Sequence, residues 1–146
     1  MAVQYKLSKP VFENLVAHLV KIEDEKDHLI EELFPEITKE REQFVKFLEQ
    51  YIAKINHLIT NSVTSETDKG FPFVTIGSKV KIKDLESGEE ESLQLLSPIQ
   101  IALEDNAISY LSPVGKALLF KKVGDIVEVT APGGKFKYQV QAIEFP

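Results

Sequence analysis

Three glutamates, Glu31, Glu32 and Glu36, lie on either side of Pro35 in the first third of this 146-residue chain. Carboxylates on a tight turn can share a hard cation such as Mg²⁺, which prefers oxygen ligands. The three do not have the fixed spacing of a dedicated metal-binding loop. The pattern therefore leaves three interpretations open: a cation site, a surface that binds a basic partner, or an acidic helical face that only aids solubility.

The composition excludes several other kinds of site. The chain has no cysteine, which rules out thiol nucleophiles, disulfide scaffolds and cysteine zinc sites, and its three histidines do not favour a histidine metal centre. The net charge of −6 argues against a protein that coats nucleic acid directly. No apolar run approaches the about 20 residues of a membrane span, and the N-terminus has no apolar signal core. We therefore expect a cytoplasmic protein without membrane contact.

A helical hairpin carries the glutamates. Apolar residues recur at alternating steps of three and four on both sides of Pro35, which predicts two amphipathic helices. Pairing residues whose numbers sum to 70 folds them into an antiparallel coiled coil over residues 1–62. The predicted seam consists of Phe12, Leu15, Leu19, Ile22, Lys26, Leu29 and Leu33 in the first helix and of Ile37, Arg41, Phe44, Leu48, Tyr51, Ile55 and Leu58 in the second.

Negative charge is concentrated at the far end of this hairpin. Residues 21–42 hold nine acidic and four basic side chains, a net charge of −5, so most of the imbalance of the whole chain lies there. Charge runs of this kind are usually solvated faces. The glutamates nevertheless lie at one end of a rod, where a partner would meet them together.

A second pattern begins after residues 63–72, a polar stretch that predicts a linker. Apolar and polar residues then alternate as in half-buried strands, and Ser112 suits the cap of a short helix that begins at Pro113. The fold class is therefore α+β: an N-terminal antiparallel coiled-coil hairpin followed, over 73–146, by an antiparallel sheet domain with one short helix. The predicted strands are 79–84, 92–96, 106–110, 126–130 and 136–145.

Two stretches of the second domain resemble the C-terminal domain of the GreA/GreB transcription elongation factors. They are VTIGSKVKIKDLESGEE (Val74–Glu90) and ISYLSPVGKALLFKKVGDIVEVTAPGGKFKYQVQAIEF (Ile108–Phe145). The resemblance implies that this domain is FKBP-like and docks on the rim of the secondary channel of RNA polymerase. It also implies that the hairpin enters that channel, so that nucleic acid is contacted only through the polymerase complex.

The same resemblance assigns individual residues. Partner binding falls on Ser112, Pro113, Val114 and Gly115, with Gly115 present for close backbone approach. Phe120 stands where the family usually has glycine, and its ring is expected either to pack locally or to add to the partner surface.

The tip departs from the family pattern. Cleavage factors of the family carry a G-D-L-S-E-N-A-E-Y type motif there, whose acids help hold a second Mg²⁺ in the polymerase active centre. This chain reads EELFPEITKE over Glu31–Glu40, and its hairpin is shorter than in typical cleavage factors, by about one or two heptads. The departure fits a non-cleaving or Rnk-like relative.

Several functions follow as expectations. The first is an RNA polymerase-binding regulator of transcription elongation that is not itself an enzyme and carries no cofactor of its own. An alternative is a transcript cleavage factor that acts through Glu31, Glu32 and Glu36 on Mg²⁺ shared with the polymerase. A prolyl isomerase would also suit an FKBP-like fold, but fold does not imply function and the chain lacks tryptophan. A general interaction module is the remaining alternative.

Overall fold

The computed structural model describes residues 5–65, 73–100 and 106–144. The chain divides into two compact units, Met1–Lys69 and Gly70–Pro146. Across the described ranges, no helix combines the length and the apolar character needed to cross a membrane.

The first unit is the helical hairpin that the heptad spacing predicts. Helix α1 spans Lys9–Leu33 and helix α2 spans Lys39–Thr60. The Ser8 side chain caps α1 by accepting the Val11 N–H at 3.4 Å, and a proline occupies the first turn, where its missing N–H costs nothing. Thr38 caps α2 in the same way. Both helices thus begin after a cap residue with an extended backbone.

A short parallel ladder joins the two chain segments that flank the helices. Strand β1 (Tyr5–Ser8) pairs with strand β2 (Ser62–Ser65), with Tyr5 opposite Ser62. The Tyr5 N–H also donates to the Asn61 carbonyl at 3.0 Å. The sequence predicted a linker from residue 63 instead of a strand, because neither four-residue segment is long enough for its alternation to be read. The remainder of the predicted linker, residues 66–72, lies outside the described residues.

The buried seam of the hairpin agrees with the sequence in α2 and differs in part in α1. Leu15 and Ile22 are buried as predicted, but His18 and Ile30 are buried where Leu19 and Leu29 were expected, and both leucines are only half-buried. A straight helix drifts by about 20° per heptad from a strict repeat, so neighbouring positions can exchange places in the seam. The buried residues of α2 are Phe44, Leu48, Tyr51, Ile55 and Leu58.

The prediction for Ile37 was wrong. Its side chain is 97% exposed instead of lying in the seam. The reason is that Thr38 caps α2 and the helix begins at Lys39, so Ile37 belongs to the connection before the helix.

The second unit is a five-stranded sheet with one helix. The strands are β3 (Lys79–Asp84), β4 (Glu90–Leu96), β5 (Ala107–Ser109), β6 (Ile126–Ala131) and β7 (Gly134–Glu144). Helix α3 (Pro113–Leu118) lies between β5 and β6 in the chain, and the strands follow the spatial order β5-β4-β3-β7-β6. Neighbouring strands are antiparallel except for β4 and β5, which are parallel.

Alternation along the strands builds the core of this unit. Val80 and Ile82 of β3 and Val127 and Val129 of β6 are buried between more exposed neighbours, and the Leu118 side chain of α3 is buried as well. Pro132 and Gly133 form the two-residue turn between β6 and β7, since Ala131 pairs with Gly134. The hairpin at 126–144 is therefore the one that the Pro-Gly-Gly sequence indicates.

Candidate partner-binding segment and hairpin tip

The segment Ser112–Gly115 forms the start of α3, and Ser112 fixes it to the preceding strand. The Ser112 Oγ accepts the Gly115 N–H at 3.1 Å and donates to the Ser109 carbonyl at 2.7 Å. Pro113 follows as the first helical residue, the position where proline is favoured. One hydroxyl thus both caps the helix and links it to the end of β5.

Gly115 is required by the close approach of α3 to that same strand end. A Cβ at this position would overlap the Ser109 carbonyl oxygen and lie 2.8 Å from the Tyr110 Cα. Both neighbours are backbone atoms, which cannot move aside as a flexible side chain can. Glycine within a helix ordinarily costs about 0.5–1 kcal/mol relative to alanine, and here only glycine lets the helix sit this close.

The side chains that remain for a partner are therefore those of Pro113 and Val114. Pro113 is exposed and Val114 is half-buried, whereas Gly115 is buried. Both lie in the first turn of a helix whose position is fixed by Ser112 and Gly115. The segment presents a small apolar surface on a rigid base.

At the tip of the hairpin, Arg41 ties the end of α1 to the connecting residues. Its Nη1 donates to the carbonyl oxygens of Phe34 at 3.0 Å and Pro35 at 3.4 Å, and its Nη2 donates to Glu31 Oε1 at 2.7 Å. The planar guanidinium suits this task because it offers several donors in a fixed geometry. The last carbonyls of a helix have no partner within the helix, so Arg41 satisfies one that α1 leaves open.

Two further contacts hold the same connection. The rings of Phe34 and Phe44 lie 5.1 Å apart between centroids, and the Thr38 hydroxyl accepts the Arg41 N–H at 3.2 Å. The residue before a proline avoids helical geometry, which ends α1 near Phe34. The connection 34–38 is thus held from both helices.

The three tip glutamates are not gathered into one cluster. Glu31 pairs with Arg41, Glu32 pairs with His28 at 2.9 Å one helical turn away, and Glu36 is exposed in the connection. Within the described residues, no group of three histidine or acidic side chains could hold a metal ion. The three carboxylates are therefore not brought together at one point of the tip.

A comparison with known protein families decides what the second unit is. Residues 69–145 match the family model described as "Transcription elongation factor, GreA/GreB, C-term", which is more than half of the chain. The chain belongs to the GreA/GreB family.

Curated relatives of this GreA/GreB family member are bacterial elongation factors. Transcription elongation factor GreA of Thermosipho melanesiensis is 40% identical over 94 residues, which are 63% of this chain and 60% of the relative. GreA of Clostridium acetobutylicum is 39% identical over 99 residues, which are 67% of this chain and 63% of the relative. The chain therefore spans about three fifths of the length of the relatives it matches.

The solved structures that resemble this chain have a lower sequence identity to it than the curated relatives have. The GreA factor homolog Gfh1 of Thermus thermophilus is 29% identical with a TM-score of 0.45, and the match covers 97% of this chain and 99% of that chain. The transcription elongation factor GreA/GreB from Nitrosomonas europaea is 22% identical with a TM-score of 0.49, over 98% of this chain and 99% of that chain. The assignment to the GreA/GreB family rests on residues 69–145 and not on these superpositions.

Phe120, which stands where the family usually has glycine, has a backbone conformation that normally favours glycine. Its φ of 65° lies in the left-handed region, which glycine adopts freely and a bulky residue adopts only at a cost of about 1–2 kcal/mol. The Phe120 ring meets the Phe73 ring edge-on at 5.4 Å, and the Phe120 N–H donates to the Val74 carbonyl at 2.8 Å. The Phe120 ring was expected either to pack locally or to add to the partner surface, and its contact with Phe73 supports local packing.

The hairpin of this GreA/GreB family member also contains a buried polar pair that the sequence analysis missed. His18 Nε2 lies 2.6 Å from Tyr51 Oη in the seam, and the two rings meet edge-on. Burial, reinforced by the positive charge of Lys21, lowers the pKa of His18 from 6.5 to about 4. The spacing of three and four residues between Leu15, His18 and Ile22 is compatible with a seam position for His18. The apolar Leu19 next to it was assigned to the seam instead.

Proposed function

We propose that this GreA/GreB family member regulates transcription elongation by binding RNA polymerase. The C-terminal unit docks at the rim of the secondary channel through Pro113 and Val114, and the hairpin enters the channel. In this role the protein acts in the cytoplasm on the polymerase, is not an enzyme itself, and meets nucleic acid only within the polymerase complex. An FKBP-like fold of residues 73–146 is part of the same proposal.

The start of α3 is the observation that carries this proposal. It lies within the matched span 69–145, and its two accessible side chains are held on a base that Ser112 and Gly115 make rigid. A preorganised apolar surface loses little conformational entropy when it binds, which favours affinity. Burial of Pro113 and Val114 by a partner would therefore contribute directly to binding.

Substitutions at these two positions test the docking surface. We expect Val114→Asp to weaken the affinity of the full chain for core RNA polymerase about tenfold or more, because it places a charge in an apolar contact. Asp is favourable in the first turn of a helix, so the variant should fold. The matched control is Leu85→Asp, which puts the same charge on a 42% exposed aliphatic position in the β3–β4 turn.

A milder pair of variants tests the same surface without added charge. Pro113→Ala should weaken binding, whereas Pro132→Ala, at an exposed proline in the β6–β7 turn, should not. Absence of binding by the wild-type chain at low salt would contradict the proposed function and favour a general interaction module. A peptide isomerisation assay tests the prolyl isomerase alternative directly.

The tip geometry favours regulation without RNA cleavage. Glu31 already pairs with the Arg41 guanidinium, and Glu32 already pairs with the His28 imidazole. Exposed pairs of this kind contribute only about 0–1 kcal/mol, so what argues against cleavage is the separation of the three carboxylates and not their pairing. The tip residues by themselves therefore do not assign a step of RNA cleavage to an Mg²⁺ ion.

A transcript-cleavage assay on stalled elongation complexes tests this point. We expect no increase in cleavage when the protein is added. If cleavage does rise, Glu31→Gln, Glu32→Gln and Glu36→Gln together should abolish it, whereas Glu86→Gln and Glu89→Gln in the β3–β4 turn should not. Cleavage that depends on the three tip glutamates would make the chain a cleavage factor.

A further inference from the structure

The tip of the hairpin carries one feature that neither the glutamates nor the seam explains. Ile37 is 97% exposed, whereas the other exposed large apolar residues among those described range from 37% to 59% exposed. Single exposed apolar residues are common on protein surfaces. What sets Ile37 apart is this nearly complete exposure and its place in the connection between α1 and α2, at the tip of the hairpin.

The connection that presents Ile37 is preorganised. Arg41 holds the carbonyls of Phe34 and Pro35, and Thr38 caps the helix that follows. Because the residues on both sides of Ile37 are fixed, binding through its side chain requires little further ordering of the backbone.

The surroundings of Ile37 are acidic. Residues 31–42 hold five acidic and two basic side chains. One of the two bases, Arg41, is already engaged with the Phe34 carbonyl and with Glu31. A complementary surface therefore has an apolar centre and a positively charged rim.

We propose that Ile37 is an apolar anchor that inserts into a pocket of RNA polymerase lined by apolar side chains and rimmed by lysine or arginine. This inference rests on the proposed function and adds a second, separate contact to the docking surface at Pro113 and Val114. Full burial of an isoleucine side chain corresponds to a gain in affinity of about tenfold to hundredfold.

The test compares matched aliphatic truncations in the full chain. Ile37→Ala should weaken binding to core RNA polymerase about tenfold to hundredfold, and Ile37→Leu should restore most of the affinity. Val20→Ala is the control, because Val20 is 53% exposed on the shaft of α1, about 20 Å from the end of that helix. It should change the affinity less than twofold.

A salt series separates the anchor from the charged rim. The affinity of Ile37→Ala should fall with rising salt as steeply as that of the wild type, because an apolar contact is not screened. Glu36→Gln should instead flatten the salt dependence. A photoreactive side chain at position 37, but not at position 20, should cross-link to a polymerase segment that contains lysine or arginine.

The outcomes distinguish this proposal from the one on which it rests. If the wild type binds polymerase and Ile37→Ala binds equally well, the anchor is refuted and the docking surface stands. If the wild type does not bind, both proposals fail. A change in self-association of Ile37→Ala, with unchanged polymerase affinity, would assign Ile37 to a contact between copies and would also refute the anchor.

Discussion

The buried pair His18–Tyr51 gives the hairpin a pH-dependent stability that can be calculated. The pKa of His18 is about 4 in the folded chain and 6.5 in the unfolded chain. Between these values the unfolded state binds a proton that the folded state does not. The free energy of unfolding is therefore highest above pH 6.5, falls as the pH decreases towards 4, and loses no more to His18 below that.

The size of the loss follows from the shift. Each pKa unit corresponds to about 1.4 kcal/mol, so the two and a half units between 6.5 and 4 amount to about 3 kcal/mol. This loss is a large fraction of the free energy of unfolding of a typical domain, which is about 5–15 kcal/mol.

Urea unfolding of the full chain measures this dependence. The helical signal in circular dichroism reports mainly on α1 and α2, and titrations between pH 7.5 and about 5 keep most carboxylates ionised. We expect His18→Gln to be less stable at pH 7.5 but to lose most of the pH dependence in this interval. His57→Gln is the control, because His57 is exposed on the same hairpin.

An equal loss of stability in the wild type and in His18→Gln would refute this explanation. It would show that other groups bind the protons that unfold the hairpin, and that His18 is not kept neutral by its burial.

Three further predictions concern Gly115, Phe120 and Arg41. Gly115→Ala should destabilise the second unit by about 2 kcal/mol or more, because its Cβ clashes with backbone atoms. Gly133→Ala, whose Cβ would meet only the Phe136 ring at 3.6 Å, should change the stability of the same unit by less than about 1 kcal/mol, and hydrogen exchange of the second unit measures both variants. Phe120→Gly should be more stable than Phe120→Ala by about 1 kcal/mol in urea unfolding, because alanine keeps the positive φ without the ring contact. Arg41→Lys should lower the stability of the hairpin by about 1 kcal/mol despite its unchanged charge, since lysine cannot reach two carbonyls and a carboxylate together; equal melting temperatures would contradict this.

The sequence predicted the two helices and the α+β class because periodicity is a local property. The second-helix residues Phe44, Leu48 and Tyr51 recur at the spacing that places them on one face, and they are buried. Ile37 follows the same numerical spacing but lies outside the helix, because the Thr38 cap decides where α2 begins. Spacing alone does not contain that information.

The candidate sites were predictable only in part, for a related reason. Ser112 could be recognised as a helix cap from its place before Pro113. The contacts of Arg41 could not be inferred, because its partners Phe34 and Glu31 are brought to it by the turn and not by sequence spacing. The left-handed backbone at Phe120 likewise has no signature in a phenylalanine.

Hydrogen exchange of the full chain, alone and bound to core RNA polymerase, tests the central claim most directly. We predict slower exchange on binding at the backbone amides of residues 112–118, with no change at those of Gly133 and Gly134 at the β6–β7 turn. Unchanged exchange at 112–118 in a chain that is fully bound would contradict docking through the start of α3.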